Sequence, residues 1–326
     1  MARRNIVILG GGSGGAVAAN HLGESIGKDH NVILIDKKPQ HYYQSSYLWM
    51  ARGWREPGDI SRDLSAIERR NVRFLNDRIV NIDTDNRKVT TDHAEIAYDY
   101  LISSLGFETH PDDIPGDSHL AHHTWEMEAA LRFREALRNF TAGRLVIGIS
   151  SPPYRCPPGP YEAAWLIEDG LVERGVRNNI TIDFFTSEPG PLGGSGQPSE
   201  FMREHLELRG INLHTDFVID QVDGSANALR STDGRSLPFD LLFIVPPHRP
   251  SSVLFDSGLA GNAGVDVDVD TLATKWENVY AIGDSANVPA SKAGVVAHQQ
   301  ADVVAHNIAH ELTGHGQPTR FKLHTL

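Results

Sequence analysis

Fifteen residues near the start constrain this chain more than any others. Asn5-Ile6-Val7-Ile8-Leu9 is a short apolar, β-branched run; Gly10-Gly11-Gly12-Ser13-Gly14-Gly15 follows at once, and Ala16-Val17-Ala18-Ala19 opens a helix-forming stretch. A buried strand, a glycine turn and a helix in that order make a dinucleotide site. Gly10 permits the tight turn, Gly12 and the flanking Ser13 and Gly14 let backbone N–H groups approach a diphosphate, and Gly15 lets the helix lie close on the strand. The helix N-terminus then presents unpaired N–H groups to the phosphates. A second apolar run, Asn31-Val32-Ile33-Leu34-Ile35, ends in Asp36, twenty-one positions past Gly15. A carboxylate about 20 residues on is the expected partner of a ribose hydroxyl.

The length, 326 residues, suggests about two domains, and a 40% hydrophobic content supplies a sizeable core. A net charge of −12 argues against nucleic acid and against a generally basic membrane-binding surface. No apolar run reaches the 18 or so residues of a membrane span, and Met1-Ala2-Arg3-Arg4 leads straight into the first strand with no apolar leader. A cytoplasmic protein is expected, at most peripheral to the inner membrane face. Cys156 is the only cysteine, so no disulfide forms within the chain.

Taken in order, His41-Tyr42-Tyr43-Gln44-Ser45-Ser46-Tyr47 reads as a loop or short helix over a ligand rather than a strand, or as a partly buried aromatic surface. Strands are expected over 71–75, 78–82, 87–91 and 98–106, the last ending in Gly106. Phe107–Gly116 is a candidate linker. A helix over 126–140 precedes a new buried strand, Arg144–Ile149. The turn after that strand, Ser150 to Glu162, carries no glycine fingerprint; its prolines have no N–H to offer a phosphate. A helix follows from about Pro160 to Arg174. Pro189–Pro198 is a Gly/Pro loop before a helix over 200–209. Strands are expected at 179–185, 216–222, 240–245 and 278–284, the last ending in Gly283-Asp284, and a final helix runs from Ala293 to about Leu312. The pattern predicts an α/β chain with two Rossmann-like domains, the second inserted in the first: 1–110 with 251–326, and 111–250.

The glycine turn, the run ending at Gly106 and Tyr280-Ala281-Ile282-Gly283-Asp284 together resemble the two-dinucleotide-domain flavoprotein disulfide-reductase superfamily. The resemblance covers nearly the whole chain. It implies FAD on the first fingerprint, with Gly283 and Asp284 at its ribityl–phosphate part and Lys37, Val80 and Gly106 among the cofactor-binding positions. Arg155-Cys156-Pro157-Pro158-Gly159-Pro160-Tyr161-Glu162 resembles the branch of sulfide:quinone oxidoreductases and flavocytochrome c sulfide dehydrogenases. In that branch this cysteine lies by the flavin, pairs with a second cysteine and carries sulfur. The second cysteine is absent here, as is the cysteine that holds a covalent flavin near Tyr42–Tyr47, so any FAD is expected to be non-covalent. Relatives continue beyond His324-Thr325-Leu326 into further C-terminal elements, which suggests a truncated or diverged chain.

The resemblance implies an FAD-dependent oxidoreductase that oxidises sulfide or a related sulfur species and hands electrons to quinone or another acceptor. Arg155 and the following helix N-terminus favour a Cys156 thiolate, against the plainer role of a small buried hydrophobe. Glu162 is the candidate general base, or simply a first-turn glutamate favoured by the helix dipole. Lys292 either adds charge near the flavin beside the positive end of the last helix or is a solvated lysine. His298 is a candidate whose plainer reading is a surface histidine. The alternatives are an NADH-dependent flavin oxidoreductase resembling NADH:quinone dehydrogenases, and a catalytically degenerate flavin-binding protein. A homodimer is compatible with either; no metal site is expected.

Overall fold

The computed structural model describes residues 2–322; Met1 and the terminal run that includes His324-Thr325-Leu326 lie outside the described residues. In chain order the elements that carry the architecture begin with β1 (Asn5–Leu9), α1 (Ser13–Ile26), β2 (Asn31–Asp36), β3 (Val72–Asn76) and β4 (Tyr100–Ser103). Next come β5 (Ala121–His122), β6 (Gly143–Ile149), α2 (Gly159–Glu173), β7 (Ile180–Thr186), α3 (Gly196–Leu208), β8 (Ile211–His214) and β9 (Leu241–Val245). The last are β10 (Val279–Ala281) and α4 (Gly294–Thr313). They fall into two compact units. One holds the described residues up to Tyr42, Ser61–Glu108 and those from Arg249 on; the other holds Tyr43–Ile60 and Thr109–His248.

The first unit is a five-stranded sheet in the order β10-β4-β1-β2-β3, parallel throughout, with Val7 opposite both Ile33 and Leu101. Ile6, Val7, Ile8 and Leu9 are fully buried, as strands covered on both faces require. Each such side chain contributes about 1.5–3 kcal/mol through burial. Ile6 and Ile8 face a core shared with Ala18 and Leu22 of α1 and Val304 and Ile308 of α4. Val7 and Leu9 face the opposite core, with Ile33, Ile35, Leu101 and Val265. The strands Ile79–Asp83, Lys88–Thr91 and Glu95–Ala97 form a separate antiparallel ribbon. It buries Ile82 and Val89 while their neighbours face water, the one-sided alternation of an antiparallel sheet.

The second unit repeats the plan. Its parallel sheet has the order β5-β9-β6-β7-β8. Leu145, Ile147 and Phe243 meet Phe133, Tyr161 and Leu171 on one face, with the Phe133 and Phe243 ring centroids 4.8 Å apart. Val146, Phe185 and Ile244 meet Phe217 and Leu229 on the other. The excursion Tyr43–Ile60 belongs to this unit through buried Ala51, through an ion pair of 2.7 Å from Arg52 to Glu173, and through one of 2.9 Å from Arg134 to Glu56.

Four sequence expectations need correction. Gln40–Tyr42 is a strand, paired antiparallel with Ser61–Asp63, because a partner twenty residues on supplies its ladder; only the part from Gln44 is helical. The run expected to reach Gly106 is extended only as far as Ser103, and Phe107–Thr109, inside the expected linker, is a short strand. Helix α3 begins at Gly196, within the expected Gly/Pro loop. Pro198 does not prevent this, since the first-turn N–H groups have no helical partner to lose.

Candidate functional site

In the first unit, the Gly10 N–H donates to the Ile35 carbonyl (2.8 Å), which ties the turn to the end of β2. The Gly11 N–H donates to Asp36 Oδ2 (2.6 Å) and the Lys38 N–H to Asp36 Oδ1 (2.7 Å). Two backbone donors thus fix the carboxylate against the glycine turn. The Cβ of an alanine at Gly15 would lie 1.8 Å from the Gly10 carbonyl oxygen, so only glycine lets α1 approach this closely. A Cβ at Gly12 would project into open space, with nothing within 4 Å. The start of α1 has no side-chain cap and no acid in its first turn. Its N–H groups and positive end are left for an anion.

The other expected positions of this unit are placed as follows. Lys37 is exposed, 3.6 Å from Glu108. Val80 sits at the register irregularity of the strand Ile79–Asp83 and is 37% exposed. Gly106 has a φ of +69°, and its carbonyl accepts from the Ser251 N–H (3.3 Å). Gly283 follows β10 with a φ of +68° and donates its N–H to Gln300 Oε1 (2.7 Å). The carbonyl of Asp284 accepts from Lys292 Nζ (2.7 Å). Lys292 is not a solvated lysine: its ammonium lies 4.1 Å from the Phe107 ring centroid, and burial pulls its pKa down. Helix α4 starts without a side-chain cap or a first-turn acid. His298 is an exposed helix-surface histidine, 3.7 Å from Asp302.

Sequence reasoning missed Gln300. It is fully buried on α4; its Oε1 serves Gly283, and its Nε2 has no hydrogen-bond partner among the described residues. A buried amide donor costs about 1–3 kcal/mol when unmet, so this atom fits a ligand acceptor. Together with the open position at Gly12 and the uncapped start of α1, it makes the first unit fit an extended dinucleotide such as a flavin cofactor.

In the second unit, the turn after β6 is pinned on both sides of Cys156. Trp125 Nε1 donates to the Arg155 carbonyl (3.0 Å), and Arg155 Nη2 donates back to the Trp125 carbonyl (2.9 Å). Arg155 Nη1 reaches Gln44 Oε1 (2.8 Å). Cys156 is exposed and has a φ of +58°, a conformation non-glycine residues adopt only when their surroundings hold them there. Its carbonyl accepts from the Gly159 N–H (2.7 Å). A Cβ built on Gly159 would lie 3.3 Å from Cys156 Sγ, so the thiol rests at the first residue of α2, where the helix dipole favours a thiolate. Glu162, in the first turn of α2, is partly buried, and that burial raises its carboxyl pKa.

Glu188, two residues beyond β7, was also missed. Its carboxylate accepts from Thr186 Oγ1 at 3.4 Å, and burial raises its pKa. It lies one residue further past the last register pair of its strand than Asp36 does, and the turn after β6 has no glycine fingerprint to count from, so no sequence spacing singled it out.

Two parallel dinucleotide-type folds, the first with a glycine cradle and the second with a cysteine in its turn, define a pyridine-nucleotide/flavin oxidoreductase. The pyridine nucleotide-disulphide oxidoreductase family model matches residues 4–149 and 195–301; the chain belongs to that family and is a flavin-dependent oxidoreductase. It is 27% identical to the mitochondrial sulfide:quinone oxidoreductase of Dictyostelium discoideum, over 95% of this chain and 71% of that protein. It is 25% identical to a type II NADH:quinone oxidoreductase of Staphylococcus aureus, over 96% of this chain and 83% of that protein. The solved sulfide:quinone oxidoreductase of Aquifex aeolicus shares the fold with a TM-score of 0.84 at 24% identity, covering 95% of this chain and 77% of that one. Among the described residues no helix is long and apolar enough to cross a membrane.

Proposed function

We propose that the chain oxidises sulfide or a related sulfur species at Cys156 and delivers the electrons to a quinone. The single observation that carries this reading is the thiol held at the start of α2, in a turn where a pyridine-nucleotide fold needs a glycine cradle. The names of the relatives support the quinone, whose place in the lipid phase calls for peripheral contact with a membrane.

FAD is the proposed cofactor, with its diphosphate on Gly10 and Gly12–Gly15 and its adenosine ribose on Asp36. Gly106, Gly283, Asp284, Lys37 and Val80 are proposed further along it, and Lys292 and the start of α4 supply positive charge. With Cys156 in the sulfur role, no other cysteine is present to hold the flavin through a thioether, and the proposed attachment is non-covalent. A bound flavin supplies two-electron redox chemistry between the sulfur and the quinone.

The Cys156 thiolate meets hydrosulfide; an S–S bond forms and the S–H bond breaks. The proton goes to Glu162, whose raised pKa keeps it a competent acceptor near neutral pH. A bound flavin would be the two-electron acceptor this oxidation requires, and Cys156 would then be left as a persulfide anion. Anaerobic titration tests this. Sulfide bleaches the flavin absorbance of the purified protein, and the Cys156→Ser variant does not respond. Equal bleaching of both ends the cysteine mechanism, and rapid bleaching by NADH instead moves the chain to the NADH-dependent reading.

A further inference from the structure

Cys156 holds a left-handed backbone conformation, with a φ of +58°, that costs energy in a non-glycine residue. Two soft dihedrals define the conformation, and each is set by the orientation of one flanking peptide. The peptide after Cys156 is fixed within the turn, because its carbonyl accepts from the Gly159 N–H (2.7 Å). The peptide before it carries the Arg155 carbonyl. Rotation about φ swings that carbonyl, and Trp125 Nε1 holds it at 3.0 Å.

Trp125 lies just past β5, and only 9% of it is exposed. Its ring is wedged between Phe243 and His248, with centroids 6.3 Å away in each case, so the indole N–H cannot follow a moving carbonyl. The Arg155 guanidinium grips the same residue from its other end, Nη2 to the Trp125 carbonyl at 2.9 Å. The indole edge also borders the thiol: a Cβ built on Gly159 would meet Cys156 Sγ at 3.3 Å and Trp125 Cζ2 at 3.4 Å. One side chain therefore sets a dihedral of the cysteine and flanks its sulfur. Trp165, on α2, is the contrast: its Nε1 meets no partner among the described residues.

We propose that Trp125 is a positioning residue for Cys156: its indole N–H locks the peptide before the cysteine and so keeps the thiol at the start of α2, ready to react as a thiolate. This deepens the reading above, in which Cys156 carries the sulfur, and rests on it. Without the indole N–H, the peptide between Arg155 and Cys156 turns and Cys156 relaxes to a negative φ. Its Sγ then leaves the helix end whose dipole favours the ionised form.

Cys156 is the only cysteine, so alkylation of the purified flavin-loaded full chain by iodoacetamide, followed by mass spectrometry over a pH series, reads this thiol alone. Trp125→Phe keeps an aromatic ring and deletes the N–H. Its alkylation midpoint should move up in pH, toward the ordinary thiol value of about 8.5, and its rate at pH 7 should fall about two- to fivefold. The comparison is of midpoints, which a change in exposure alone does not move. Trp165→Phe is the control and should leave the midpoint where it is. If Trp125→Phe fails to fold, β-(3-benzothienyl)alanine at position 125 takes its place, with the shape of the indole and no N–H. A folded position-125 variant with the wild-type midpoint overturns the inference, as does an equal shift in Trp165→Phe. Sulfide bleaching of the wild-type flavin is read separately. A raised midpoint in a chain that ignores sulfide keeps Trp125 as the residue that holds the thiol and loses the sulfur reading; the reverse pattern loses only the role of Trp125.

Discussion

Acid should unfold the second unit through two histidines, and one substitution isolates the effect. His123 and His248 are each 5% exposed. Burial, reinforced by the Arg155 guanidinium, pushes His248 down to about 3; burial also takes His123 down to about 4. His248 Nδ1 donates to the Pro246 carbonyl (2.7 Å), while its Nε2 has no partner among the described residues. Both rings are neutral in the fold and titrate near 6.5 once unfolded. Below 6.5 the unfolded chain binds more protons than the folded one, so stability is complete above that pH and falls as the pH falls toward the folded values. At pH 5 each histidine should cost about 2 kcal/mol, and the pair about 4, against a total of roughly 5–15 kcal/mol. Glu162 and Glu188, with raised pKa values, act in the opposite direction, so the wild-type curve alone is a sum. His248→Asn keeps a donor for Pro246 and removes one titration. Urea unfolding of both proteins, followed by tryptophan fluorescence at pH 7.5, 6 and 5, is the assay. The variant should be less stable at pH 7.5, and the gap should close by about 2 kcal/mol at pH 5. Parallel curves would refute the reasoning, because they would mean that His248 takes up a proton in the folded state as readily as in the unfolded one.

Three other outcomes are expected. Glu162→Gln should slow anaerobic sulfide-driven flavin bleaching by about 10²–10⁴-fold and abolish its rise with pH, since the base works only above its raised pKa; an unchanged pH profile assigns the proton elsewhere. Gly15→Ala, which drives a Cβ to 1.8 Å from the Gly10 carbonyl oxygen, should yield protein without flavin absorbance, and a normal flavin content would show that this turn is not the cradle. Asp183, with its side chain 2% exposed, accepts from Arg144 at 3.0 Å, His214 at 2.9 Å and Asn212 at 3.2 Å; Asp183→Ala should cost about 1–3 kcal/mol by leaving these donors without their acceptor, as measured by urea midpoint at pH 7.5.

Local grammar made part of this legible from the sequence. The glycine turn and Asp36 are separated by a fixed βαβ spacing, so their meeting through the Gly11 N–H follows from chain geometry. The buried strands announce themselves as unbroken apolar runs, which is how β1 and β6 were found. What stayed hidden depends on partners far along the chain. Nothing in Gln40–Tyr42 says that Ser61–Asp63 will pair with it. Lys292 looks like any lysine until the Phe107 ring and two carbonyls close around it. Tyr43–Ile60 carries no compositional mark of the unit it joins, because its allegiance rests on the packing of Ala51 and the reach of Arg52.

The sheet order of the first unit also sets a schedule for synthesis. Strand β10 completes one edge of that sheet and α4 covers one of its faces, yet both are encoded near the far end. A ribosome therefore releases every strand of the inserted unit while the unit that holds the opening glycines still lacks an edge and a lid. The nascent N-terminal segment must wait, unsealed, through about 210 further codons from Ser103 to the end of α4 at Thr313, and any slowing of translation over that interval lengthens its exposure to chaperones and proteases.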